Sequence, residues 1–430
     1  MRIKLDIPLF LSEISHFPGD EVIEYISTDT REIFAGDLFI PIPGKNFDGR
    51  DFIPRAKEKG AIILEATDGA KSLLRIAALY KSKLKSLKYT VGITGSVGKT
   101  TAKEFIYKIA SEQYKTHKTD SNENNAIGVS KTVLSASKDT EVLILEIGTN
   151  HPGEIREIVD ILPPDIALIT NIGTSHIGNF GSKDGIRREK ISIASNEKTR
   201  LISRYEDGLG GLSFSSRTRR ADVYTERDGG GVNVYKSGKA ILAADCVFSE
   251  NHLIEELCAS VSVCLAMGME YEAIKRGISS LSYENTRQKI MNLTKFSILS
   301  DCYNASIESF SSAFDSLSRL SGYSHRSAVI GDIDELSDMS AEIHLKLGRL
   351  AARYDLRRIY LIGSMRGCIR SGFLSAGGNA ERLILLDENA QRGALAEQII
   401  NGSAENEIIL FKASRRMRLE KIIEEIKGRC

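Results

Sequence analysis

Charge of either sign is not in excess in this chain: 58 Lys and Arg stand against 57 Asp and Glu, a formal net charge of +1 over 430 residues. No global field therefore draws it to nucleic acid or to an anionic membrane, and its partners are recognised locally. Cysteine is sparse. Its six residues (Cys246, Cys258, Cys264, Cys302, Cys368, Cys430) form no CxxC pair and no zinc spacing, which speaks against a disulfide framework and for reduced thiols. Long apolar runs are missing too, since none approaches the roughly 18 residues that a membrane helix requires. The opening Met1-Arg2-Ile3-Lys4-Leu5-Asp6 lacks the apolar stretch of a signal peptide. These absences together predict a soluble, cytoplasmic protein without membrane insertion. No repeat of fixed period and no low-complexity tract is visible.

The length exceeds one ordinary core and predicts two or three domains. Residues 1–87 alternate short strands with turns and end in a Lys-rich helical stretch, residues 70–85, that reads as a solvated connector. Residues 88–292 contain runs such as Val142-Leu143-Ile144-Leu145 and Ile166-Ala167-Leu168-Ile169 between helical patterns. Strands apolar on both faces point to a parallel sheet wrapped by helices. Between residues 199 and 250 the texture turns to glycine, serine and alternating residues, which predicts appended hairpins. Residues 293–430 show a second strand–helix alternation, with strands expected near 296–299, 327–330, 358–362, 382–386 and 407–411. The fold class is α/β, with a second doubly wound domain at the C-terminal end.

Between the apolar run at residues 89–93 and a helical pattern lies Thr94-Gly95-Ser96-Val97-Gly98-Lys99-Thr100-Thr101. Such a loop cradles a nucleoside triphosphate. Gly95 and Gly98 let backbone N–H groups approach phosphate oxygens, Lys99 adds a point charge, and a Thr hydroxyl can reach magnesium. Its spacing is not the common one, because Ile93 occupies the position five before Gly98 and Gly92 comes one place too early.

Glu146 closes a buried strand, where open α/β sheets place their ligand crevice. It either holds magnesium against a triphosphate or caps a nearby helix, and the phosphate loop favours the first. The loop Asn171-Ile172-Gly173-Thr174-Ser175-His176 follows the next strand; His176 is either a structural hydrogen-bond partner or a catalytic or metal-binding group. Lys190, taken alone, reads as a surface helix residue.

The order TGSVGKTT, SNENNAIGVS, LEIGTNHPGEI, NIGTSHIGNFGS with Lys190, then SDCYNASIESF, GDIDELS and FKASRRMRLEK resembles the Mur ligase family over nearly the whole chain. Residues 27–31 (STDTR) and 36–41 (GDLFIP), with Gly44, Phe47, Asp48 and Gly49, resemble its UDP-binding domain. The resemblance also explains the loop spacing, since the family uses TGxxGKT. It implies three domains: a small N-terminal UDP-binding α/β domain, a central parallel-sheet ATPase domain and a C-terminal Rossmann-like domain. The implied activity is ATP-dependent amide formation through an acyl phosphate, with D-alanyl-D-alanine added to a UDP-N-acetylmuramoyl-tripeptide in peptidoglycan precursor synthesis. The two substrates are then the partners, and the protein is expected to be a monomer.

Residue by residue, the family pattern implies ATP contacts from Gly95, Ser96, Gly98, Lys99, Thr100 and Thr101, with Arg287 at the phosphates and Asp301 at the ribose. It implies one Mg²⁺ on Thr100 and Glu146 and a second on His176 and a carbamylated Lys190. Lys99, Glu146, His176 and Lys190 would then be the catalytic set. Ser27, Asp29, Arg31, Asn124, Asn125 and Asn304 would meet the substrates, although Asn124 and Asn125 are also ordinary turn residues. Asp332, Glu335 and His344 match positions that orient the C-terminal domain or the dipeptide, and Lys412, Ser414 and Arg415 resemble a KGSR motif.

The chain departs from the pattern in a cluster. Near the adenine the family's Gly-x-His-Asn-x-x-Asn reads Ser249-Glu250-Asn251-His252-Leu253-Ile254-Glu255, and Asn-x-Asp reads Ser203-Arg204-Tyr205. Tyr-Asn-Ala-Asn-Pro reads Tyr303-Asn304-Ala305-Ser306-Ile307, and Arg50 replaces a His. Two other functions stay open beside the implied one: a divergent ligase joining a different amine to a different carboxylate, and a non-catalytic nucleotide-binding regulator. The regulator predicts loss of Lys99, Glu146 or Lys190, and all three are present.

Overall fold

The computed structural model describes residues 1–14, 21–44, 48–64, 67–282, 289–387 and 390–430. Phe47 and Arg287 lie outside the described residues. Among the described residues, three sheets of four, nine and six strands follow one another. In the first, Arg2–Phe10 pairs antiparallel with Val22–Ser27, and the short strands Leu38–Phe39 and Ile62–Ile63 add in parallel.

The second sheet positions the site. Tyr89–Thr94 runs parallel between Val142–Glu146 and Ile166–Ile169, with Thr116–Lys118 on one side and Arg200–Arg204, Leu212–Ser215 and Val223–Asp228 continuing on the other. Alternation with period two sends their apolar residues to two cores. Val91, Ile93, Val142 and Ile144 face Phe105, Ile109, Leu257 and Val261 of helices Lys99–Ala110 and Asn251–Ala266. Leu143, Leu145, Ala167 and Ile169 turn the other way, to Val129, Val133, Ile155 and Ile158. Burial on both faces is why these strands read as unbroken apolar runs. The expected hairpins are present as Val223–Asp228, Gly231–Lys236 and Lys239–Asp245, paired antiparallel at the sheet's edge.

The third sheet has parallel strands Phe296–Asp301, Glu407–Lys412, His325–Ile330, Ile359–Leu361 and Leu383–Leu385, in that spatial order. Lys289–Asn292 joins it antiparallel to Phe296–Asp301. A boundary after residue 292 would therefore cut a hairpin, because the backbone groups of Lys289 to Asn292 pair with the C-terminal sheet.

The Lys-rich stretch is not a solvated connector. Helix Gly69–Lys83 buries Leu73, Leu74, Ile76, Ala77 and Tyr80, and the Tyr80 hydroxyl donates to the Ala136 carbonyl at 2.7 Å. Lys71 is exposed, Lys81 turns in to donate to the Pro163 carbonyl at 3.1 Å, and the apolar stripe at helical spacing locks the first segment onto helix Ala126–Leu134. All six cysteines are free thiols, and among the described residues no helix is long and apolar enough to cross a membrane.

Candidate active site

The phosphate loop leaves strand Tyr89–Thr94 and enters helix Lys99–Ala110 through Gly98, whose φ of 84° is a left-handed conformation. Space excludes a side chain there as well: a Cβ on Gly98 would sit 1.7 Å from Glu256 Oε1, and one on Gly95 (φ 151°) 1.9 Å from Thr170 Oγ1. The segment after Ile166–Ile169 braces the loop. Thr170 Oγ1 donates to the Val97 carbonyl at 2.5 Å, Val97 N–H donates to Asn171 Oδ1 at 3.2 Å, and Gly173 N–H donates to Ser96 Oγ at 2.8 Å. The Ser96 hydroxyl thus shapes the loop, whose backbone N–H groups at the helix start remain the anion-binding feature. Lys99 Nζ donates to the Gly95 carbonyl at 2.7 Å and lies over the cradle.

Glu146 is fully buried at the end of its strand. Thr100 Oγ1 donates to it at 2.9 Å, Asn124 Nδ2 donates at 3.0 Å, and Lys103 Nζ lies 3.7 Å away. One carboxylate thereby joins the phosphate loop to the residues 120–125 loop. A hydroxyl and a carboxylate touching beside a triphosphate cradle are hard oxygen donors of the kind that Mg²⁺ takes alongside phosphate oxygens, so these residues fit that ion. Asn124 is fixed from behind as well, its carbonyl accepting from Gly148 N–H at 2.8 Å. Asn125 lines the same cleft and also caps helix Ala126–Leu134, its side chain accepting from Gly128 N–H at 3.0 Å.

The surface reading of Lys190 does not survive folding. Helix Lys183–Ile191 turns it inward, and it is 3% exposed. Burial first, and then the Lys99 charge, hold its ammonium well below the usual lysine range, with Glu189 opposing. Disfavouring the charged form is what makes a buried lysine available as a nucleophile. Glu189, also buried, accepts from Gly153 N–H at 2.6 Å and Ile155 N–H at 2.9 Å, and so anchors helix Glu154–Ile161 and the loop before it.

His176 adopts φ 62° at the start of the short helix Ile177–Phe180, and its Nδ1 is held by Glu335 from the C-terminal domain. Nε2 is then the ring nitrogen left for a ligand, the usual arrangement of a carboxylate-oriented imidazole. Two further contacts cross the same junction: Gly178 N–H donates to the Glu335 carbonyl at 3.0 Å, and Thr174 N–H donates to Glu308 at 2.9 Å.

From the third sheet, Lys412 Nζ donates to Asp301 at 2.8 Å and to the Asn304 carbonyl at 3.0 Å. Asp301 thus reaches the cleft already paired with a buried cation. Asp332 accepts from Ser364 N–H, Ser364 Oγ and Met365 N–H. His344 accepts from Ile333 N–H at Nε2 and donates from Nδ1 to the Ser340 carbonyl, a neutral imidazole whose pKa burial lowers. Both residues hold the loop that carries Glu335.

A cleft of about 420 Å³ is lined by Lys99, Asn124, His176, Asp301, Asn304 and Lys412, with Ser96, Gly98 and Thr101 at its floor. Residues distant in sequence thus converge there. Ser27, Asp29 and Arg31 do not line it. The Ser27 hydroxyl is buried and donates to the Met1 carbonyl, while Asp29 pairs with the exposed Arg31 at 2.6 Å. Sequence reasoning missed Lys103, Glu189 and Glu256. Only Lys103 carried a local signal, one helical turn after Lys99 on the side that meets the sheet.

Comparisons with known proteins agree with this geometry. The family model described as Mur ligase middle domain matches residues 93–220, and Mur ligase family, catalytic domain, matches residues 22–89. The UDP-N-acetylmuramoyl-tripeptide–D-alanyl-D-alanine ligase of Bacillus subtilis is 30% identical over 433 residues, covering 94% of this chain and 93% of its own. The Escherichia coli enzyme of that name is 27% identical, with 96% of each chain covered. Among solved structures, MurF from Acinetobacter baumannii superposes with a TM-score of 0.87 at 25% identity, over 99% of this chain and 100% of that one. MurF from Thermotoga maritima in complex with ADP gives 0.80 at 25% identity, over 94% and 98%.

Proposed function

The chain belongs to the Mur ligase family, and we propose that it joins D-alanyl-D-alanine to a UDP-N-acetylmuramoyl-tripeptide with hydrolysis of ATP to ADP and phosphate. The observation that carries the reading is Glu146, buried and hydrogen-bonded at once by Thr100 of the phosphate loop and by Asn124 of the loop opposite. Nucleotide and acceptor sides meet at one carboxylate. The ADP complex named for the Thermotoga relative supports the nucleotide half, and the names of the Bacillus and Escherichia relatives support the substrates.

ATP's γ-phosphoryl group passes to the terminal carboxylate of the tripeptide, ADP leaves, and the amine of D-alanyl-D-alanine attacks the acyl phosphate to give an amide and inorganic phosphate. Such transfer is governed by positioning and charge neutralisation. Lys99 and the first N–H groups of helix Lys99–Ala110 hold the β- and γ-phosphates, while Asn124 and His176 face the acceptor side of the cleft. Thr100 and Glu146 are the residues that would hold a magnesium ion, which supplies positive charge against the phosphate oxygens when bound. Lys190, through its neutral form, adds to CO₂ with loss of a proton and becomes an anionic carbamate. That places a buried negative charge near Lys99, and with His176 Nε2 the carbamate would make a second donor set. The N-terminal sheet, through Asp29 and Arg31, takes the UDP end. The working protein is a cytoplasmic monomer of three domains, divided near residue 87 and again ahead of Lys289–Asn292, which pairs with the C-terminal sheet.

The test is incubation with ATP, Mg²⁺, UDP-muramoyl-tripeptide and D-alanyl-D-alanine, scored for phosphate release and for the amide product by mass. Release with product is expected. Phosphate release only with a different amine, or none with any acceptor, would overturn the substrate assignment.

A further inference from the structure

Glu335 and Glu308 both reach from the C-terminal domain to the loop that carries His176, but Glu308 touches neither that imidazole nor any other group placed at the reaction. It stands in the first turn of helix Ile307–Arg319, whose start is fixed because Ser306 and Ser309 cap each other reciprocally. From that frame its two oxygens grip one residue of the central domain: Thr174 N–H donates to Oε1 at 2.9 Å and Thr174 Oγ1 donates to Oε2 at 3.1 Å. The residues on either side of Thr174 are tied to the phosphate loop. Gly173 N–H donates to Ser96 Oγ at 2.8 Å, and Ser175 Oγ donates to the Ser96 carbonyl at 3.2 Å. Hydrogen bonds thus run from the C-terminal domain through residues 173–175 to the phosphate loop, and the next residue is His176.

The fit across this seam is too close for side chains. A Cβ on Gly173 would lie 2.9 Å from Glu308 Cδ, and one on Gly178 would lie 2.7 Å from the Glu335 carbonyl oxygen. Glu335 and Ser337 take φ of 62° and 47°, left-handed conformations that persist in such residues only where the surroundings fix them. The seam also borders two openings. Glu308 and Gly173 line a second cavity of about 1090 Å³, whereas their neighbours Ser175, His176, Ser306 and Ser309 line the catalytic cleft. The Thr174–Glu308 contact stands between the two, which meet elsewhere at Val97, His252, Glu256 and Ser312.

An acyl phosphate in the cleft is open to a side reaction. Water that attacks it returns the tripeptide carboxylate and inorganic phosphate, so that ATP is consumed and no amide forms. We propose that Glu308 is a positioning residue: through Thr174 it sets the loop that carries His176, and by holding the seam shut it keeps water from the acyl phosphate until the amine attacks. This role rests on the ligase reading above, which supplies the acyl phosphate.

The test uses the full chain as wild type, Glu308→Ala, Glu308→Gln and Thr174→Val, with ATP, Mg²⁺, UDP-muramoyl-tripeptide and D-alanyl-D-alanine, and compares phosphate released with amide formed. Equal amounts are expected from the wild type. Loss of both bonds to a charged group in Glu308→Ala should lower kcat for the amide by about tenfold or more. It should also raise phosphate per amide by about twofold or more, with KM for ATP changed by less than about threefold. Glutamine can accept from Thr174 N–H and donate to its hydroxyl, so Glu308→Gln should keep the wild-type ratio. Thr174→Val removes one of the two bonds and should raise the ratio in the same direction, which decides the matter if Glu308→Ala does not fold. An unchanged ratio in the alanine and valine variants, a glutamine variant as impaired as the alanine one, or a loss confined to KM for ATP overturns the proposal. If the wild type forms no amide, the ligase reading has failed, and hydrogen exchange with ADP and Mg²⁺ bound judges the clamp. Amides of residues 172–178 should then exchange about tenfold faster in Glu308→Ala than in wild type, and unchanged exchange overturns the clamp as well.

Discussion

Replacement of Glu256 by glutamine should make the protein's stability less sensitive to pH, by an amount that its surroundings set. Glu256 is buried, lines both cavities and packs against Gly98 of the phosphate loop. Burial, and next the Glu255 charge, push its carboxyl from 4.5 up to about 8, against the pull of Arg204 and Lys99. With the folded-state pKa above the unfolded one, the native state binds more protons between those values. The stabilisation is complete below about pH 4.5 and is lost as pH rises to about 8. A shift of about 3.5 units at about 1.4 kcal/mol each amounts to about 5 kcal/mol by pH 9, of which about 3 kcal/mol is gone by pH 7. Glutamine has the shape of the protonated acid and does not titrate. The advantage of Glu256→Gln over wild type should therefore grow from about 1 kcal/mol at pH 5 to about 5 kcal/mol at pH 9. At roughly 2 °C per kcal/mol, thermal melts in matched buffers should separate by about 2 °C at pH 5 and about 10 °C at pH 9. A separation that does not change with pH would refute the buried, neutral carboxyl.

Lys190→Ala should lower turnover by about a hundredfold or more; a short-chain carboxylic acid should restore part of it and bicarbonate none, and full activity in the variant would exclude the carbamate. Glu146→Gln should raise the half-saturating Mg²⁺ concentration by about tenfold or more, because a neutral amide is a poorer ligand for a hard cation, and an unchanged Mg²⁺ titration would remove Glu146 from the metal site. Asn125→Ala should cost about 1 kcal/mol in denaturant unfolding through loss of the cap on helix Ala126–Leu134. No loss of stability would mean that the cap contributes nothing.

The sequence by itself determined what depends on neighbours along the chain. TGSVGKTT could be read because a phosphate loop is a local backbone shape with glycines where side chains would collide, as at Gly95 and Gly98. The parallel sheets could be read because burial on both faces writes itself into apolar runs such as Val142–Glu146. Only the tertiary structure decided which charged residues lie inside. Lys190 and Lys71 look alike in sequence, yet one is buried near Lys99 and the other borders water, since that depends on which helix face meets the sheet. His176 and Glu335 are 159 positions apart, and Arg204 meets Glu255 only because strand Arg200–Arg204 lies beside helix Asn251–Ala266. Local chemistry named the phosphate cradle; long-range packing selected the carboxylates, the lysine and the imidazole that surround it.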